Sequence, residues 1–284
     1  MKTAHPIVHA RCLPVHRIRR IHKQYWQHRQ TGHTLLELAI ASVLGLVVIA
    51  GVVATYRMQR TAYTHASDVQ RMHDAGMNAL TLVGEQIQMA GFVPADAPAD
   101  TLAMPLFGCT AGRPAGNDDA FSCETLAGRS DGIAIQYIGD DKSTWLSSTG
   151  KVTDCLGQEI GEMNSLVVNR YYAKASGSTG EPELYCDGSG RTGTAQPLVE
   201  GVEQLRARYW LANAAQSVEA SAIGKDQWAF VIAVDLCVLV RGAVSGTRTR
   251  YVNCDGTSVT PTDGRARQAF WRHVALRNRQ ENGS

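Results

Sequence analysis

The sequence predicts an α+β protein: a long amino-terminal α-helix, membrane-spanning over its first half, packed on an antiparallel β-sheet. Three observations predict it. An apolar run of about twenty residues, Leu35 to Tyr56, follows a basic segment. A stripe of apolar residues at helical spacing follows that run. From Gly91 onward, short apolar alternations are separated by loops rich in Gly, Pro, Asp and Ser.

Residues 1–32 carry Lys2, Arg11, Arg17, Arg19, Arg20, Lys23 and Arg29 with no acid, and five of the nine histidines. Residues 33–284 therefore hold 21 Lys and Arg against 26 acids, a net charge of −5 where the whole chain is +2. An acidic body lacks the basic footprint of non-specific nucleic-acid binding. The apolar run is long enough to span a bilayer, and the basic residues before it place the amino end in the cytoplasm and everything after Tyr56 on the far side. A cleavable secretory signal is the alternative. Val52, Val53 and Ala54 loosely resemble its cleavage site, but the long basic region and the charge at Glu37 fit it poorly.

Glu37 is the one charge in this run, and a carboxylate at membrane depth costs roughly 2.5 to 3.5 kcal/mol unless partnered. Thr34-Leu35-Leu36-Glu37 matches the S/T-x-x-E capping box, which explains helix initiation. It leaves the preceding glycine unexplained. Beyond the run, Val69, Met72, Gly76, Leu80, Val83, Ile87 and Ala90 step by three or four residues, with Gly91 as C-cap and Pro94 as stop. One helix from Thr34 to Ala90 would be roughly 85 Å long, with glycines 45, 51, 76 and 84 as places to bend. Expected strands are Gly132 to Gly139, Ser165 to Ala173, Gln204 to Trp210, Trp228 to Arg241 and Thr247 to Asn253. In the longest, Phe230, Ile232, Val234, Leu236, Val238 and Val240 share one face, which makes it central with the helix over one side. The stretches 111–120, 140–151, 174–183 and 187–195 read as polar, mobile loops.

Gly32-His33-Thr34-Leu35-Leu36-Glu37-Leu38 resembles the prepilin processing site of type IV pilins and of type II secretion pseudopilins. The resemblance implies a pilin-like fold, cleavage between Gly32 and His33 by a prepilin peptidase, and methylation of the new amino terminus. It also implies that Glu37, fifth in the mature chain, neutralises the terminal amine of a neighbouring subunit. Most pilins begin with Phe where this chain has His33. Further fragments, "QMAGF" at 88–92, "TDCLGQ" at 153–158, "NRYYA" at 169–173, "LYC" at 184–186, "PLVEGVEQLRARY" at 197–209 and "VALRNR" at 274–279, together resemble the PilW family of minor pilins. On that resemblance the chain divides into a leader (1–32), a transmembrane and polymerisation segment (33–56), an amphipathic half-helix (57–91) and a periplasmic, disulfide-stapled β-rich domain (92–284). The leader is longer than most in the family, consistent with a start codon placed too far upstream.

Apart from Cys12, six cysteines remain: Cys109, Cys123, Cys155, Cys186, Cys237 and Cys254. In an oxidising periplasm they pair, with fifteen connectivities open. Sequential pairing is expected, because it closes short loops between neighbouring strands. Zinc is disfavoured, since no C-x-x-C occurs and the only histidine after His73 is His273. The same scarcity argues against a Ser-His-Asp or Cys-His catalyst. The pairs Asp118-Asp119 and Asp140-Asp141 read as solvated turns, and "DGSGRTGT" at 187–194 lacks phosphate-loop spacing. Trp145, Trp210, Trp228 and Trp271 are expected mostly in the core. No enzyme, cofactor or metal is expected.

Three function classes stand. The first, implied by the resemblance, is a minor pilin in a type IV pilus tip or priming complex. Its partners would be PilV-like and PilX-like minor pilins, the major pilin, a tip adhesin, the prepilin peptidase and the inner membrane. The second is a type II secretion pseudopilin, and the third a signal-anchored extracytoplasmic binding domain. DNA capture would need a local basic patch, for which Arg265, Arg267, Arg272, Arg277 and Arg279 are the candidates.

Overall fold

The computed structural model describes residues 34–97, 102, 104–118, 120–246 and 248–278. The chain falls into two units, one ending at Arg57 and the other running from Met58. Helix α1 (Leu35–Met89) is continuous through all four glycines that offered a bend. In the first unit its side chains stand almost wholly exposed, Leu35 by 87% and Leu46 by 66%. In the second unit the stripe expected from the sequence is the buried one: Met72, Gly76, Leu80, Val83 and Ile87, joined by Ala79 and Gly84. Val69 is the exception, 41% exposed at the start of the stripe. The helix stops where Gly91, at φ +75°, takes a conformation closed to most side chains, and its N–H donates to the carbonyl of Gln136 at 2.9 Å.

Among the described residues of the second unit fifteen strands follow the helix: β1 (Leu106–Cys109), β2 (Gly112–Asn117), β3 (Ala120–Thr125), β4 (Gly132–Gly139), β5 (Val152–Thr153), β6 (Glu159–Gly161), β7 (Ser165–Ala175), β8 (Pro182–Gly188), β9 (Gln196–Glu200), β10 (Val202–Leu211), β11 (Val218–Glu219), β12 (Val231–Val244), β13 (Tyr251–Val252), β14 (Ser258–Val259) and β15 (Arg265–Ala275). They form two large antiparallel sheets, ordered β1-β4-β7-β8-β9 and β11-β10-β12-β15, and three hairpins, β2–β3, β5–β6 and β13–β14. The single sheet expected from the sequence is thus two, the chain passing from the first at β9 to the second at β10 through Gly201, at φ +83°.

β12 is central, as its alternation predicts, between β10 and β15. Its face Val234, Leu236, Val238 and Val240, continued by Phe270 and Val274 of β15, shares one core with the helix stripe. The same core takes in Ile133, Ile135, Tyr137, Val167, Tyr171 and Leu184 from the five-stranded sheet. Several expectations need correction. Trp228–Phe230 belongs to a 3₁₀ turn (Lys225–Phe230) rather than to the strand, with Trp228 buried edge-on to Tyr209. The strand expected over 247–253 shrinks to Tyr251–Val252, because β14 is its ladder partner for two residues only. The stretch 111–120 is largely a hairpin, and the ends of 174–183 and 187–195 are paired in β7 and β8.

A polar joint links the two large sheets. The Asp131 carboxylate, only 4% exposed, accepts from the N–H groups of Ala111 at 2.9 Å and Ala207 at 3.0 Å and from Arg206 at 3.1 Å. Burial pushes this carboxyl above its ordinary value, and those bonds offset only part of the rise. Beside it the Leu205 N–H donates to the Ser130 hydroxyl at 3.0 Å. Asn169, fully buried, donates to the side chain of Gln86 on α1 at 2.8 Å and accepts from the N–H of Cys155 at 3.0 Å.

At Gly76 the helix meets the ring of Phe270 so closely that a Cβ there would lie 2.3 Å from Cδ2. Gly76→Val is therefore expected to lower stability by about 1–3 kcal/mol through overpacking. Adding Phe270→Leu should recover part of that loss, read by denaturant unfolding of the single and double variants.

Candidate functional site

The first candidate lies at the start of α1. Gly32 and His33, the expected processing residues, fall outside the described residues. Thr34 and Glu37 form the reciprocal capping box: the Thr34 N–H donates to Glu37 Oε2 at 2.9 Å and the Glu37 N–H to Thr34 Oγ1 at 3.3 Å. This anchors the carboxylate over the positive end of the helix. Behind it the helix is long and apolar enough to cross a membrane, and none of its apolar window is buried within the chain. The apolar helix has the character of a membrane anchor.

The second candidate is the stapled body. Disulfides join Cys109 to Cys123, Cys155 to Cys186 and Cys237 to Cys254. This is the sequential pairing expected from the sequence. Each ties one hairpin to one strand of a large sheet. Cys123 lies in β3 and reaches β1; Cys155, in the β5–β6 turn, reaches β8; Cys254, in the β13–β14 turn, reaches β12. A two-stranded hairpin is marginal in water by itself, so the covalent link supplies what its small interface lacks.

Histidine, tryptophan and aspartate come together where no local motif announced them. His273 Nδ1 lies 2.6 Å from Asp235 Oδ1, and Trp210 Nε1 donates to Asp235 Oδ2 at 2.7 Å. The three residues come from β15, β12 and β10; the alternation within each strand was readable, but the pairing that aligns them was not. The arrangement braces three strands on the face turned away from α1. A Cys-His couple has no free thiol among the described residues, since all six cysteines there are bridged.

The remaining sequence candidates have structural partners. Asp118 accepts from Arg170 at 2.5 Å, while Asp119 is outside the described residues. Asp140 accepts from the N–H groups of Lys142 and Ser143, bonds that outweigh its slight burial and hold its carboxyl low. In the glycine-rich stretch, the Gly190 N–H donates to Asp154 at 3.0 Å rather than cradling a phosphate. Trp228 is core, but Trp145 and Trp271 are exposed by 91% and 54%, against expectation. The arginine run is no open basic patch. Arg265 pairs with Glu181 at 2.9 Å, Arg267 with Glu203 at 2.6 Å and Asp263 at 2.8 Å, and Arg272 donates to the Leu80 carbonyl at 3.3 Å. Arg277 is exposed, and Arg279 is outside the described residues.

Two measurements test this body. Cys→Ser replacement of either half of the Cys155–Cys186 bridge, which closes a 31-residue separation, should cost about 3–4 kcal/mol of stability. Non-reducing peptide mapping of the wild type should return no free thiol from these six positions. The second concerns pH. Hydrogen bonds from Arg241 and Arg265 hold the Glu181 carboxyl below its ordinary 4.5, and Arg267 holds that of Asp263 low. Groups lowered on folding stabilise above their unfolded values, so the melting temperature should fall as pH drops below 4.5. The slope should be modest, because both carboxylates are solvent-screened, and shallower still in Glu181→Gln.

No curated protein matches this chain. A type IV-like pilin from Thermus thermophilus, of known structure, shares 14% identity over 75% of this chain and 95% of its own, with a TM-score of 0.38. Residues 170–278 match the family described as type IV pilus-assembly protein W, a span that holds the second half of β7 and every later strand. Over these residues the chain is similar to the PilW family of type IV pilus-assembly proteins.

Proposed function

We propose that this protein is a minor pilin acting in type IV pilus assembly. It would work in a tip or priming complex with PilV-like and PilX-like minor pilins, the major pilin and a tip adhesin. The observation that carries the reading is the PilW match over residues 170–278. The uncovered apolar helix supports it, because such a surface needs a bilayer first and neighbouring helices afterwards. In this reading the chain inserts once into the inner membrane with its body in the periplasm. Prepilin peptidase cuts after Gly32, the Glu37 carboxylate pairs with the amino terminus of a neighbour, and the subunit is drawn into the filament.

The capping box gives Glu37 a second, local task, and one substitution separates the two. Glutamine serves in a capping box as glutamate does, but carries no charge. Glu37→Gln should therefore leave membrane insertion and the helix start intact while lowering surface piliation more than about tenfold, as expected for a buried pair missing one partner. Counting pili by electron microscopy beside membrane fractionation decides it. Unchanged piliation would reduce Glu37 to a cap.

A further inference from the structure

The three disulfides differ in access. Cys123 is exposed, whereas Cys155 and Cys254 are half-buried, and Cys109, Cys186 and Cys237 are buried. The Cys109–Cys123 bridge is therefore the one with a half that faces solvent, and thiol exchange needs an approach to only one of two sulfurs. It also closes the shortest covalent loop, a separation of 14 residues against 17 and 31, so opening it returns the least entropy to the unfolded chain.

What the bridge holds is slight. Among the described residues β3 has only β2 as a ladder partner, and every residue of β3 but Phe121 is exposed. The Phe121 ring rests on Phe107 of β1, centroids 5.3 Å apart, and lies 5.4 Å from the Arg170 guanidinium carbon. Glu124 pairs with Arg113 at 2.6 Å, inside the hairpin. Cys186 and Cys237, by contrast, lie in strands paired on both sides.

We propose that Cys109–Cys123 is a thiol-exchange site that latches β3 to the body and opens to a dithiol reductant while the other two bridges stay closed. A thiolate of the reductant attacks Cys123 Sγ; the S–S bond breaks, and its electron pair leaves on Cys109 Sγ, which takes a proton. The second thiol of the reductant attacks the mixed disulfide and releases Cys123 as a thiol. Two electrons and two protons pass to the protein, and the dithiol ends as a disulfide. A hairpin this small then opens locally, and the buried Arg170 loses the cover of the Phe121 ring. The proposal stands on the body alone and does not require the pilus reading.

The test uses the full chain in detergent micelles with limiting dithiothreitol, the thiols being trapped by alkylation and mapped. Cys109 and Cys123 should be labelled about tenfold faster than Cys155, Cys186, Cys237 and Cys254. Chymotrypsin cleavage after Phe121 should rise in step with that labelling and fall again on reoxidation. Excess glutathione, a monothiol, should leave its adduct on Cys123. Three results would overturn the proposal. The first is another bridge opening before this one, or all three opening together. The second is unchanged cleavage after Phe121 with the bridge open, and the third is a glutathione adduct on Cys109.

Discussion

The contact on which the body depends is the helix stripe Met72, Leu80, Val83 and Ile87 laid on Val234, Leu236, Val238 and Phe270. β12 can be central only because something apolar covers this face, and residues 72–87 of α1 can form half of a core only because the sheet supplies a flat, β-branched surface. The fit is close enough that Gly76 is occupied by the Phe270 ring and Gly84 lies against the Arg272 guanidinium. Arg272 then closes the contact by donating to a helix carbonyl, so its charge serves packing and not an external ligand. The other half of the core comes from the five-stranded sheet, and the Ser130–Asp131 joint fixes where the two sheets meet.

From that core outward, the hairpins follow a common plan. β2–β3, β5–β6 and β13–β14 are each too small to hold themselves, and each is bridged to a large sheet. Polar contacts complete the attachment. Arg113 of β2 donates to Tyr172 of β7 at 3.1 Å, and Arg206 of β10 reaches Asp255 in the β13–β14 turn at 2.8 Å. The disulfides thus act on accessory pieces, while the large sheets rest on buried apolar area.

Most of this architecture was legible where a single period ran long. The helix stripe, the bounds of β4 and the centrality of β12 follow from spacing alone. Short or polar elements were not legible. β2 reads as Gly-Arg-Pro-Ala-Gly-Asn, a turn by composition, and is a strand only because β3 pairs with it and Cys123 is pinned to β1. β8 and β9 are interrupted by proline and cysteine and lack alternation strong enough to separate them from loops. The Trp210–Asp235–His273 brace was invisible for another reason: its members are scattered over three strands, and only register brings them together. At the amino end the capping box was legible residue by residue, since its geometry is local.

Charge placement decides what this surface can recognise. The body is acidic overall, and many of its arginines are already engaged: Arg206 with Asp131 and Asp255, Arg241 and Arg265 with Glu181, Arg267 with Glu203 and Asp263. Cations bound in this way fix strands and turns to one another and leave little positive potential for a polyanion. What remains outward is mixed, with Arg129, Arg248, Arg250 and Arg277 exposed. There are indoles, Trp145 and Trp271, which bring apolar area with little entropy to lose, and there are exposed carboxylates such as Glu200. Apolar area of this kind is what a protein surface offers to an apolar counterpart.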